Sequence, residues 1–184
     1  PGNEEYMYDE PDWVKWALNL PLDSSRQSGE NWNYFTAGAV LIGDILNQSL
    51  PNGLENYAKE KLFEPLGNEN YKWAFTPQSV PSTAGNFRTT ATGFADFGQL
   101  YLNDGIWKGQ RVISEKWVNE SLTAQVKTSF EPNFYGYFWW LKDLSLDSKT
   151  YSVKYCSGNG GNKIYLIDEL DAVIVILASA YRTS

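Results

Sequence analysis

Histidine does not occur in the 184 residues, and that one absence removes a whole region of chemistry. Ser-His-Asp and Cys-His catalysis, His-ligated zinc and an imidazole proton shuttle all need a ring nitrogen, so none of them can be built within this chain. Cysteine is nearly as scarce. Cys156 is the one thiol, which excludes an internal disulfide and a multi-cysteine metal site. A lone cysteine without a histidine to activate it reads as a small hydrophobe rather than a nucleophile. No stretch has the length and apolarity of a membrane span, about 20 residues, and no signal peptide is recognisable. Lysine and arginine number 15 against 22 acidic residues, a net charge of −7, so a general phosphate-backbone binder is disfavoured and nucleic acid is not an expected partner. No cofactor or metal is implied. The chain begins at Pro1, which suggests a processed or partial product whose compartment cannot be read from its own ends.

Aromatic residues are plentiful, 16% of the chain with eight tryptophans, which suits a large core or a cleft facing sugar or peptide. The most informative stretch is Tyr151–Ser179. Three runs rich in β-branched and aromatic residues are separated there by Gly158-Asn159-Gly160-Gly161 and by Asp168-Glu169-Leu170-Asp171. Glycines free to take positive φ between two such runs predict a hairpin. Ala172–Leu177, AVIVIL, is too short for an ordinary helix and reads as a strand buried on both faces. An antiparallel meander is therefore expected at this end.

Helical signals precede it. Asp12 is placed to cap a helix carrying Trp13, Trp16, Ala17 and Leu20 on one face, whereas residues 1–12 read as linker or loop. Tyr34–Gln48 has a wide apolar stripe through Val40, Leu41, Ile45 and Leu46, with Ala37 and Gly38 one turn earlier, and its two glycines predict close packing against a neighbour. Leu54–Phe63 should form another helix, stopped by Pro65-Leu66-Gly67. Asn68–Thr89 has no sustained period and reads as an ordered, partly packed loop. Thr90 or Thr92 can cap a helix over Gly93–Asn103, and Ser114-Glu115 opens one to about Leu122. Phe134–Leu141 reads as one strand that pairs with the meander. Helices first and sheet second make an α+β chain. One partial domain is expected over 1–184, mostly helical over 12–122 and strand-forming over 134–179.

The order YFTAGAVLIGDIL, KLFEPLGN, TAGNFRTTATGFADFGQLYLNDGIWKGQRVISEKWV, YGYFWW and YCSGNGGNKIYLIDELDAVIVIL resembles the latter half of the serine β-lactamase and penicillin-binding-protein superfamily. The resemblance runs from about Trp32 onward and lies nearest the class C β-lactamase, D-alanyl-D-alanine carboxypeptidase and esterase-like branch. It implies a β-lactamase/transpeptidase-like fold, an antiparallel sheet covered by helices. Chemistry in that family rests on S-x-x-K, Y-x-N and K-T-G. Tyr34-Phe35-Thr36 falls where Y-x-N is expected, and Cys156-Ser157-Gly158 falls on K-T-G. The resemblance thus implies Tyr34 as a proton shuttle and Asn159, through its backbone N–H, as an oxyanion donor. Thr36, Cys156, Ser157 and Gly158 would lie against substrate, the small residues allowing substrate backbone to add alongside.

Two positions depart from the pattern. Thr36 exchanges an amide for one hydroxyl, and Cys156 removes the ammonium that would hold a substrate carboxylate, which tilts the expectation towards ester or amide substrates over β-lactams. A third element is absent: no serine has lysine three residues on. In the family that pair lies upstream of the tyrosine element, so the chain is expected to be an inactive fragment of a serine hydrolase acting on a small-molecule or peptide substrate. A non-catalytic binding or receptor module that kept the fold is the alternative. A carbohydrate-binding surface using Trp107, Trp139 or Trp140 is a third. The resemblance also implies a periplasmic or secreted location.

Overall fold

The computed structural model describes residues 4–25, 27, 29, 32–128 and 134–181, and the chain divides into two compact units, Pro1–Arg88 and Thr89–Ser184. Positions 26, 28, 30 and 31, between α2 and α3, lie outside the described residues.

The first unit is built on helices α1 (Glu4–Tyr8), α2 (Trp13–Leu18) and α3 (Thr36–Ser49). The carboxylate of Asp12 accepts the Lys15 N–H at 2.9 Å and caps α2 as its sequence requires. Residues 4–8, expected as loop, are helical instead, because Met7 is needed in the core: it is fully buried with Trp13, Ala17, Ala37 and Val40. The stripe expected on α3 holds at Ala37 and Val40, with Leu41 packed against the same core, and fails at the C-terminal end of the helix. Its small residues Ala37, Ala39 and Gly43 are buried with Val40, whereas Ile45 and Leu46 are exposed. The cause is close approach: Thr83 donates its hydroxyl to the Ala39 carbonyl at 2.7 Å, and a Cβ on Gly43 would meet Thr83 Oγ1 at 2.1 Å. Only glycine admits the loop there.

The next helical stretch runs through α4 (Gly53–Ala58), a π-helical turn at Lys59–Phe63 and α5 (Glu64–Leu66), with Gly67 left-handed at its end. A pure α-helix would set Phe63 roughly 180° around from Leu54, nine residues back at about 100° each. The wider π turn re-phases the helix, and both residues are buried. Phe63 then joins Tyr71 at 4.4 Å and Phe87 at 5.3 Å between ring centroids. Tyr71 and Phe87 stand on β1 (Tyr71–Trp73) and β2 (Phe87–Thr89), which pair with each other, so the stretch expected as an ordered loop carries two short strands.

The second unit opens with α6 (Ala91–Leu102), capped by Thr90, whose hydroxyl oxygen accepts the Gly93 N–H at 3.0 Å. A small hairpin, β3 (Ile106–Trp107) and β4 (Gln110–Arg111), leads to α7 (Glu115–Ser121), capped by Ser114. A six-stranded antiparallel sheet follows: β5 (Val126–Lys127), β6 (Phe134–Gly136), β7 (Trp139–Leu146), β8 (Lys149–Gly158), β9 (Asn162–Ile167) and β10 (Ala172–Ile176), each beside the next. Phe134–Leu141 is two strands rather than one. Tyr137 and Phe138 take positive φ, 46° and 73°, and make a two-residue turn without the usual glycine or asparagine. The terminal run is a strand, as expected, but it is covered on one face only, with Ile174 and Ile176 exposed at 46% and 45%. Among the described residues no helix is long and apolar enough to cross a membrane, and no group of three or more His, Cys, Asp or Glu could hold a metal ion.

Helix α6 lies on β9 and β10 across Gly98, where an added Cβ would come 2.6 Å from Val173 Cγ1 and 3.1 Å from Ile164 Cγ2. Both neighbours are β-branched and stiff at χ1. Gly98→Ala should therefore destabilise the protein by about 1–3 kcal/mol, as overpacking does, read as a lower urea midpoint at unchanged slope. An unmoved midpoint would show that α6 is not seated so closely.

Candidate active site

Tyr34 and Thr36 flank Phe35, the residue just before the long helix of the first unit. Phe35 keeps extended backbone (φ −137°, ψ 92°) and Thr36 is the first residue of α3. The phenol is thus carried on extended chain, and the threonine sits among N–H groups that have no intrahelical acceptor. Tyr34 is 55% exposed, with its ring edge-on to Trp32 at 6.3 Å; Thr36 is buried. The entry angle is fixed by Gly38, whose missing Cβ would come 3.0 Å from Phe35 Cδ1 and whose N–H donates to the Phe35 carbonyl at 3.1 Å. A polar oxygen on a rigid helix entry, open to solvent, is a geometry suited to proton transfer.

Cys156, Ser157, Gly158 and Asn159 are consecutive at the end of β8 in the second unit. Strand β7 pairs with β8 only as far as Trp140 opposite Tyr155, whereas β9 stays beside it to Asn162 opposite Gly158. From Cys156 on, β8 is therefore a sheet edge on its β7 side, a place where extended backbone can add. The chain then turns tightly over Asn159–Gly161, with Gly160 at φ 81°. The side-chain oxygen of Asn159 accepts the Gly160 N–H at 2.7 Å, and its carbonyl accepts Asn162 Nδ2 at 2.7 Å. The Asn159 N–H itself has no turn or side-chain acceptor among the described residues. On Gly160 lies the ring of Tyr181, which would stand 2.7 Å from an added Cβ.

Pleating sends alternate side chains to opposite faces. Cys156 packs against the cluster of Tyr101, Val118, Trp139 and Leu166, and burial pushes its thiol up to about 12, so the side chain is neutral at any ordinary pH. Trp139, a candidate stacking surface on sequence grounds, is 2% exposed and belongs to that core. Ser157 projects from the other face. Its hydroxyl oxygen accepts a hydrogen bond from Lys163 Nζ at 2.5 Å. Sequence reasoning passed over Lys163; counting back across the predicted Gly158–Gly161 hairpin would have found it, since the register sets Lys163 opposite Ser157.

The resemblance sets K-T-G on Cys156-Ser157-Gly158, at this end of β8. The sequence model of the Beta-lactamase family matches residues 1–183. The chain belongs to the Beta-lactamase family. Solved structures share the fold of this Beta-lactamase chain at low identity. A protein named as a 6-aminohexanoate-dimer hydrolase, from Bacillus anthracis, has a TM-score of 0.72 at 18% identity, over 84% of this chain and 40% of its own. An octameric penicillin-binding protein homologue from Pyrococcus abyssi has a TM-score of 0.66 at 18% identity, over 84% and 40%. A penicillin-binding protein from Bacillus halodurans has 0.70 at 14% identity, over 94% and 60%. The Beta-lactamase chain thus spans 40% to 60% of these neighbours. No curated protein matches it.

Proposed function

We propose that this chain carries the tyrosine and edge-strand parts of an acyl-transfer site in a serine hydrolase, and that both units serve one domain. The observation that carries the proposal is the open edge of β8 from Cys156, ending at the Asn159 N–H, in a chain of the Beta-lactamase family. Substrate backbone adds along Ser157 and Gly158. A serine supplied from outside these residues attacks the carbonyl carbon of an ester, amide or lactam, its proton passing to a lysine or to the Tyr34 phenolate. The carbonyl π electrons move onto oxygen, where the Asn159 N–H stabilises them. Collapse expels the alcohol or amine, which takes up a proton by way of Tyr34, and water then releases the acid from the acyl-enzyme.

No serine here has lysine three residues on, so the 184 residues alone should turn over neither nitrocefin nor p-nitrophenyl acetate, while a longer product joining this chain to an upstream S-x-x-K should turn over at least one. Measured hydrolysis by the isolated chain would overturn the first statement, and inactivity of the longer product the second. One observation favours a non-catalytic binding module: Cys156 puts a neutral, core-packed thiol where the family places an ammonium. Upstream coding sequence that aligns to the fold without a serine-lysine pair would decide for that reading.

A further inference from the structure

The Asn159 N–H opens a turn with little stiffness of its own. Gly160 and Gly161 stand at φ 81° and 89°, and glycine has more backbone freedom to lose than any other residue. A donor stabilises charge in a transition state only when it is held in place before the charge develops. Part of the restraint comes from inside the turn, where the Asn159 side-chain oxygen accepts the Gly160 N–H. The rest comes from the residues that follow β10. The Ala180 N–H donates to the Gly160 carbonyl at 3.0 Å. The Ala178 N–H donates to Asn162 Oδ1 at 3.2 Å, and Asn162 Nδ2 donates in turn to the Asn159 carbonyl at 2.7 Å. Beside these bonds lies Tyr181, whose ring carbons Cε1, Cζ and Cδ1 fall 2.7, 2.9 and 3.2 Å from the place a Cβ on Gly160 would take. The ring fills the space of the side chain that Gly160 lacks. Tyr181 is otherwise 59% exposed, so its packing serves the turn and not the core.

We infer that Tyr181 is a positioning residue for the acyl-transfer site: its ring, with the backbone of 178–180, holds the Asn159–Gly161 turn so that the Asn159 N–H is already in place when the oxyanion forms. The inference rests on the reading of that N–H as the oxyanion donor. The ring matters and the hydroxyl does not, since the atoms against Gly160 are ring carbons. Tyr181 acts through the turn without touching substrate. A donor of this kind does its work in the transition state, so loosening it should lower kcat and kcat/KM together and leave KM in place.

The test begins with ¹⁵N relaxation of the labelled 184-residue chain, unsubstituted and as Tyr181→Ala and Tyr181→Phe. Order parameters at residues 159–161 should be about 0.85 in the unsubstituted chain and in Tyr181→Phe, and should fall below about 0.6 in Tyr181→Ala while the rest of the sheet keeps its values. In an active longer protein that contains this chain, Tyr181→Ala should lower kcat by about tenfold at unchanged KM, less than the 10²- to 10³-fold cost of deleting one such donor outright. Tyr181→Phe should restore the rate. A turn that stays equally ordered in Tyr181→Ala overturns the inference and leaves the Asn159 N–H as the donor. A turn that loosens with no change in kcat overturns the reading of that N–H, and the role of Tyr181 with it.

Discussion

In the folded protein at pH 8, Cys156 should be alkylated by iodoacetamide on the order of a thousandfold more slowly than in urea. The thiolate is the reactive form, and burial raises the thiol from its ordinary 9.0 to about 12, so each of three pH units removes a factor of ten. Packing against Tyr101, Trp139 and Leu166 also screens the sulfur from the reagent. The linkage has a definite sign. The unfolded chain loses this proton near pH 9 while the folded chain keeps it towards 12, so the unfolded state binds fewer protons between those values and stability falls as pH rises through that window. Below pH 9 the group contributes no pH dependence. Mass spectrometry of a time course reads the rate, and equal rates in buffer and urea would show that the thiol is not seated in the core. The consequence for the site is that position 156 cannot act by charge; whatever it gives substrate comes from its backbone.

Features decided by one side chain and its immediate neighbours were legible in the sequence. Asp12, Thr90 and Ser114 cap helices because each has an oxygen three residues before an orphan N–H. The terminal meander was legible too, since Gly158–Gly161 and Asp168–Asp171 are turns on composition alone. What escaped depends on partners distant in sequence. Met7 folds into α1 because Trp13 and Val40 receive it, which no local period announces. Tyr137 and Phe138 turn the chain at positive φ against their own preference, and the flanking ladders from Phe134–Leu141 to Gly136–Trp139 hold them there. Of the candidate site, the motif positions rest on order and spacing in the sequence. The direction in which Cys156 points was not legible there, nor the contact of Lys163 with Ser157, because both follow from strand parity and register rather than from residue type. The exposed face of β10 is a further case: AVIVIL reads as fully buried, yet Ile174 and Ile176 face outward on the side that carries Tyr165.

Tyr34→Phe, made in an active longer protein that contains this chain, should lower kcat/KM by about 10²- to 10⁴-fold, the range expected for loss of a positioned proton-transfer group. The side chain is more than half exposed, so removing one hydroxyl should leave the unfolding midpoint within the scatter of ordinary surface substitutions, about 0.5 kcal/mol. The lost rate can then be read as chemistry rather than as damage to the fold. Leaving groups separate the two roles of the phenol. p-Nitrophenolate departs without being protonated, so an ester of it reports only on activation of the nucleophile. An anilide must receive a proton as its C–N bond breaks, so it reports on activation and on proton delivery together. The anilide should lose more than the ester by at least tenfold, whereas equal losses would confine Tyr34 to activating the nucleophile. A rate unchanged on both substrates would remove the phenolic hydroxyl from the mechanism, since the substitution keeps the ring and deletes only its oxygen.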